Sequence, residues 1–158
     1  MEIRTGFGYD IHRLVKGRPL ILGGIEIPSD KGLLGHSDGD CLIHAVIDAL
    51  LGAAGQPDIG RLFPDDDPRW SGARSIDLLV LTVERLRSGG WQAVNIDSVI
   101  VAERPKLAGH ISGMKKILGP VLGLDEARLG IKAKTNEGLG LIGTGEAVAC
   151  WASVLITR

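Results

Sequence analysis

Asp10 and His12 stand two residues apart in Gly8-Tyr9-Asp10-Ile11-His12, and a further imidazole follows at His44 in Asp40-Cys41-Leu42-Ile43-His44. Carboxylate and imidazole both ligate divalent cations. In extended backbone, residues i and i+2 project from one face, so a single strand can supply Asp10 and His12 together. An Asp/His/His set fills three corners of a tetrahedral zinc site and leaves the fourth for a substrate atom. A lone histidine is more often structural. Here Asp40 and Asp48 flank His44 at i−4 and i+4 and offer a carboxylate shell able to fix an imidazole tautomer, which argues for a metal.

Other segments carry chemistry of a second kind. His36-Ser37-Asp38-Gly39-Asp40 reads as the start of a helix, with Ser37 or Asp38 as N-cap. Backbone amides at such a start attract phosphate, and His36 is beside them. Asp58-Ile59-Gly60 and Phe63-Pro64-Asp65-Asp66-Asp67 read either as a solvated turn or as a pocket wall. Arg104-Pro105-Lys106 and Lys132-Ala133-Lys134-Thr135-Asn136-Glu137 put cations and a hydroxyl just past strands, where sheets flanked by helices tend to hold ligands. Glu137 suits a hard cation such as magnesium.

The elements that must position these groups follow from hydrophobic period. Ile3 to Asp10 and Leu20 to Ile27 predict strands, the second bent at Gly23-Gly24. From Asp40 to Ala53, the recurrence of Leu42, Ile43, Val46, Ile47, Leu50 and Leu51 predicts an amphipathic helix with His44 at the edge of its apolar stripe. Gly55 to Gly72 predicts a long loop, Ala73 to Ser88 a second helix stopped by Gly89-Gly90, and Val94 to Ala102 a buried strand. A third helix from about Gly109 to Leu122, then strands at Leu129 to Ala133 and Ala147 to Ile156 around a glycine-rich loop, complete the pattern. Strands interleaved with helices predict an α/β, or α+β two-layer, fold in which helices cover a single sheet.

At 158 residues the chain suits one domain. Its 18 basic residues against 19 acidic ones, a net charge of −1, give no basic surface for nucleic acid. No apolar run reaches membrane-spanning length, and Met1-Glu2-Ile3-Arg4 lacks the features of a signal peptide, so the expectation is a cytoplasmic protein without nucleic-acid or membrane partners. Cys41 and Cys150 sit among apolar neighbours and read as buried free thiols.

Taken in order, Asp10-Ile11-His12, Gly35-His36-Ser37-Asp38-Gly39-Asp40, Leu42-Ile43-His44-Ala45, Asp58-Ile59-Gly60, Leu62-Phe63-Pro64-Asp65, Arg104-Pro105-Lys106 and Lys132 to Gly140 resemble the 2-C-methyl-D-erythritol 2,4-cyclodiphosphate synthase family over essentially the whole chain. The resemblance implies a single domain over residues 1–158, a single mixed β-sheet with helices packed on one face, and a homotrimer with each active site between subunits. It implies zinc or a similar divalent ion at Asp10, His12 and His44, and magnesium or manganese on the substrate diphosphate at Glu137. His36 and Thr135 would stabilise the transition state. Asp58, Ile59, Gly60, Phe63, Pro64, Asp65, Asp66 and Asp67 would line the erythritol phosphate side, and Asp10, His12, His36 and Ser37 would also bind substrate. Ala102, Glu103, Arg104, Pro105, Lys106, Leu107 and Ala108, with Lys134, Thr135, Asn136 and Glu137, would hold the cytidine diphosphate. Leu141 and Thr144 occupy substrate-side positions in the last glycine-rich loop where some members carry phenylalanine and arginine.

The implied reaction converts 4-diphosphocytidyl-2-C-methyl-D-erythritol 2-phosphate to 2-C-methyl-D-erythritol 2,4-cyclodiphosphate and cytidine monophosphate, a step of isoprenoid precursor synthesis. The residues themselves leave two alternatives open. A metal-dependent phosphohydrolase would use the same ligands with metal-bound water as nucleophile. A cytidine-nucleotide-binding module would need Pro105, Lys106 and the Lys132 to Glu137 segment but not Asp10, His12 and His44.

Overall fold

The computed structural model describes residues 1–158. Its frame is a five-stranded sheet built on β1 (Ile3–Lys16), which runs antiparallel to β7 (Ala147–Thr157) along almost its whole length. β7 in turn pairs antiparallel with β5 (Gln92–Val101), and β5 pairs parallel with β6 (Leu129–Lys134). β4 (Lys31–Leu33) closes the other edge against the end of β1, giving the mixed order β4-β1-β7-β5-β6. The two ends of the chain meet at one corner, where Glu2 and Arg158 exchange backbone hydrogen bonds of 2.8 and 3.0 Å.

β1 extends beyond Asp10 and carries the Asp10/His12 face on to Lys16, because the pairing with β7 and then β4 supplies partners for its backbone. The expected single strand from Leu20 to Ile27 is instead a hairpin, β2 (Leu20–Leu22) and β3 (Ile25–Ile27), outside the main sheet. Its turn residues Gly23 and Gly24 both have positive φ, +61° and +77°, which suits a two-residue turn matched to strand twist.

One face of the sheet is covered. α1 (Cys41–Ala53) lies across β1 and β7, and α3 (Ser75–Ser88) packs on its far side. α1 is therefore buried nearly all round rather than on one stripe: among its residues only Asp48 and Gly52 escape burial. Ala45, Ala49 and Ala53 recur at i, i+4 and i+8 and meet Gly6 and Gly8 of β1 so closely that a Cβ at either glycine would overlap the Ala49 or Ala45 carbonyl oxygen. Small residues on both sides let helix and strand backbones touch. α4 (Ile111–Leu122) adds Met114, Leu118 and Leu122 to the same core and ends on Gly123 in the left-handed conformation.

The cap of α1 is Asp40, not Ser37 or Asp38. Asp40 Oδ1 accepts from the Ile43 and Gly23 amides at 3.0 Å each, and Oδ2 accepts from Gly24 at 2.7 Å, so the cap also ties down the β2–β3 turn. Burial pushes its carboxyl up to about 6 against the pull of those amides. The loop from Gly55 to Gly72 contains a short helix, α2 (Ile59–Leu62), and a turn of 3₁₀ helix at Pro68–Trp70. The last glycine-rich loop likewise contains α5 (Gly140–Gly143).

Candidate metal centre and active site

β1 and α1 bring Asp10, His12 and His44 into one cluster. Asp10 Oδ2 lies 2.8 Å from His12 Nε2 and 3.0 Å from His44 Nδ1, and the two imidazole nitrogens lie 3.1 Å apart. The outer nitrogen of each ring decides what the inner one can be. His12 Nδ1 is 2.7 Å from the Leu34 carbonyl, which can only accept, so that nitrogen carries the proton and Nε2 turns a lone pair inward. His44 Nε2 meets the hydroxyls of Ser75 at 2.8 Å and Ser37 at 3.1 Å. With its proton on Nε2, His44 also presents a lone pair, and two such pairs beside a carboxylate repel one another unless a cation lies among them. Ligand atoms about 3.3 Å apart surround a tetrahedral zinc ion, close to the spacing here. The donor set fits a divalent metal, and these side chains could hold one.

The charges respond in the same sense. Burial opposes the charge on Asp10, but the adjoining His12 and His44 imidazoles outweigh it and hold the carboxyl well below the usual range. Burial disfavours the charged form of His12, yet its hydrogen bond and Coulomb attraction to Asp10 raise its pKa overall. The side chain is drawn toward carrying a cation's charge itself. Asp40 and Asp48, expected to orient His44, make no hydrogen bond to its ring: Asp40 is spent on backbone amides, and Asp48 accepts from the Ile59 amide at 2.8 Å.

Beside the cluster is a cavity of about 240 Å³. His36, Ser37, Ile59, Gly60, Phe63 and Asp65 line it with the three ligands, and Trp70 and Leu78, for which the sequence offered no signal, complete the wall. Trp70 meets Phe63 edge-on at 5.0 Å. Asp58 caps α2 through the Arg61 amide, Asp67 caps the 3₁₀ turn and pairs with Arg69, and Pro64 and Asp66 belong to the connecting loop. Asp58, Pro64, Asp66 and Asp67 thus shape the wall without lining the cavity.

The expected cytidine side is elsewhere. Because β5 and β6 are parallel neighbours, their ends emerge together, with Ala102 N donating to Lys134 O at 2.9 Å and Asn136 N to Glu103 Oε2 at 3.2 Å. Ala102, Glu103, Pro105, Lys106, Leu107, Ala108, Lys134 and Thr135 line a separate cavity of about 180 Å³. Thr135 Oγ1 donates to Glu137 Oε1 at 2.7 Å, and Glu137 is exposed at φ +53°. Arg104 and Thr144 face a third hollow with Lys31, and Leu141 is exposed. Asp10 is level with Cys150, Ile100 and Ala133 across the sheet, which puts the Lys134 edge three strands, about 14 Å, from the Asp/His/His cluster. The two cavities share no lining residue.

Residues 3–157 match the YgbB family. The chain belongs to the YgbB family. A 2-C-methyl-D-erythritol 2,4-cyclodiphosphate synthase from Gloeobacter violaceus is 57% identical over 155 residues, covering 98% of this chain and 95% of that relative. A bifunctional enzyme IspD/IspF from Desulforudis audaxviator is 54% identical over 156 residues; the match covers 99% of this chain, which spans 40% of that relative's length. Among solved structures, a 2C-methyl-D-erythritol-2,4-cyclodiphosphate synthase in a CDP-bound form is similar at 43% identity and a TM-score of 0.90, covering 98% of this chain and all of that one. The mixed sheet with helices on one face is the fold shared with that structure.

Proposed function

We propose that this chain is a 2-C-methyl-D-erythritol 2,4-cyclodiphosphate synthase acting in isoprenoid precursor synthesis. The observation that carries the reading is the convergence of Asp10 Oδ2, His12 Nε2 and His44 Nδ1 beside a cavity, in a chain 57% identical to a synthase of that name. The 2-phosphate oxygen of the diphosphocytidyl substrate forms a bond to the β-phosphorus. The bond from that phosphorus to the bridging oxygen breaks, and cytidine monophosphate departs with the electron pair. The nucleophile is ionised near neutral pH, so no general base is required.

Asp10, His12 and His44 would hold zinc or a similar ion, and the exposed Glu137 carboxylate suits magnesium or manganese shared with a diphosphate. When bound, these ions supply Lewis-acid charge that lets two phosphates approach. The chain's own task is to fold a flexible anion so that nucleophile and phosphorus meet in line. Ser37 and His36 meet the phosphate end, Ile59, Gly60 and Phe63 enclose the methylerythritol, and Ala102 to Ala108 with Lys134 to Glu137 hold the cytidine diphosphate. His36 and Thr135 are the groups assigned to the transition state.

A homotrimer belongs to the same reading. The metal side and the cytidine side of one chain lie in separate cavities, and in this reading the cytidine side of one subunit completes the metal side of its neighbour. The uncovered sheet face supports this: Ile3, Phe7, Tyr9 and Ile11 are all exposed along β1. A cytoplasmic setting fits the two buried, unpaired thiols. No helix is long and apolar enough to cross a membrane.

The test is to incubate the protein with 4-diphosphocytidyl-2-C-methyl-D-erythritol 2-phosphate in ¹⁸O-labelled water and weigh the products. Cyclisation gives cytidine monophosphate and an unlabelled cyclic diphosphate. Solvent label in either product would identify a hydrolase instead, and no turnover with intact nucleotide binding would identify a binding module.

A further inference from the structure

His44 is held by a chain of hydrogen bonds that ends on a charge. Its Nε2 lies 2.8 Å from Ser75 Oγ, and Ser75 Oγ lies 2.5 Å from Asp38 Oδ1, while Asp38 Oδ2 accepts from the Ser75 amide at 3.0 Å. A carboxylate has no proton to give, so the direction of the chain is fixed from that end. Ser75 spends its one proton on Asp38 and can only accept from His44 Nε2–H. Ser75 is fully buried, so no water competes for either bond. Asp38 thereby also caps the start of α3 from a remote loop, where the local N-cap, Arg74, makes no side-chain capping bond.

We propose that Ser75 and Asp38 are positioning residues for the metal centre: together they hold His44 in the tautomer whose Nδ1 lone pair faces Asp10 and His12. The same pair joins the metal ligand to the pocket wall. The segment before Ser75 is pinned to the His36–Asp38 loop, with Gly72 N donating to His36 O at 2.9 Å and Asp38 N to Ala73 O at 3.0 Å. Ser37 Oγ is a second acceptor for His44 Nε2 at 3.1 Å, but no carboxylate fixes the direction of its proton. The isosteric Asp38→Asn change is informative for that reason. An asparagine that keeps the Ser75 amide bond through its oxygen turns its NH₂ toward Ser75 Oγ, which reverses the chain and moves the proton to His44 Nδ1.

The inference rests on the Asp10/His12/His44 metal reading, and the experiment separates the two. Zinc affinity is measured by competition with a chromophoric chelator, alongside the tautomer of His44 in metal-free wild type from long-range ¹H–¹⁵N correlation of the imidazole. Ser75→Ala and Asp38→Asn are expected to weaken zinc binding by about 10–100-fold, the usual effect of losing such an outer partner, with Ser75→Thr recovering most of it. His44 in metal-free wild type is expected to be protonated on Nε2. Wild-type zinc affinity in both Ser75→Ala and Asp38→Asn, or a proton on Nδ1 in wild type, overturns the proposal; the tautomer decides even if a variant does not fold. Should His44→Ala bind zinc as wild type does, the metal reading itself fails, whereas loss in His44→Ala with no loss in Ser75→Ala and Asp38→Asn defeats the positioning role alone.

Discussion

At the scale of single residues, the site is a competition between a proton and a metal for the same three atoms. His12 can ligate only when Nε2 is unprotonated, and its neighbour Asp10 raises its pKa. Protons therefore compete up to a higher pH than they would at an ordinary histidine, whose pKa is about 6.5. The Asp10 carboxyl, held low, stays charged and adds nothing to the dependence. Zinc affinity should thus fall as pH is lowered from about 8 to about 6, approaching tenfold per unit below the His12 pKa. Chelator competition across that range checks the sign; an affinity that is flat, or that rises with acid, contradicts the ligand set.

At the scale of elements, the distance between the two ligand-bearing segments is set by backbone contact. Gly8 touches α1 at Ala45, the residue after His44, and lies two residues before Asp10. A methyl at Gly8 must push the helix off the strand and take His44 with it. Gly8→Ala is expected to cost about 1–3 kcal/mol of stability and to weaken zinc binding together with it. A thermal melt and zinc titration of one sample test this, and zinc affinity preserved in a folded Gly8→Ala protein would show that α1 need not sit so close. Much of the arrangement was legible beforehand for a physical reason. The alternation of Asp10 and His12 and the 3.6-residue recurrence from Leu42 to Leu51 are local, and local period is what a sequence displays. Ser75 was not legible: it is 31 residues from His44, and a lone serine at a helix start carries no period. The cap of α1 went to Asp40 rather than Asp38 because the Gly23 and Gly24 amides arrive from a distant turn. Nothing local separates two aspartates flanking one glycine.

At the scale of the whole molecule, the sheet has one face filled and one bare. Phe7 is 68% exposed, and Tyr9 lies against Trp151 with ring centroids 5.1 Å apart on that bare side. If three copies close around these strands, a charge there must be desolvated at the contact. Phe7→Glu is expected to lower the mass seen by light scattering from trimer to monomer and to abolish turnover, while zinc binding survives because all three ligands belong to one chain. A Phe7→Glu protein that stays trimeric would move the contact to another surface. The antiparallel run of β1 and β7 has a consequence for joining things to this chain. Ile3 pairs with Thr157 at one end of the ladder, and Asp10 pairs with Cys150 farther along it, about 23 Å away at the rise of a strand. A tag, a surface tether or a second enzyme attached at either terminus starts from the same corner, well clear of the metal cluster, and a short peptide bridging that corner would make the backbone a closed ring without touching the chemistry.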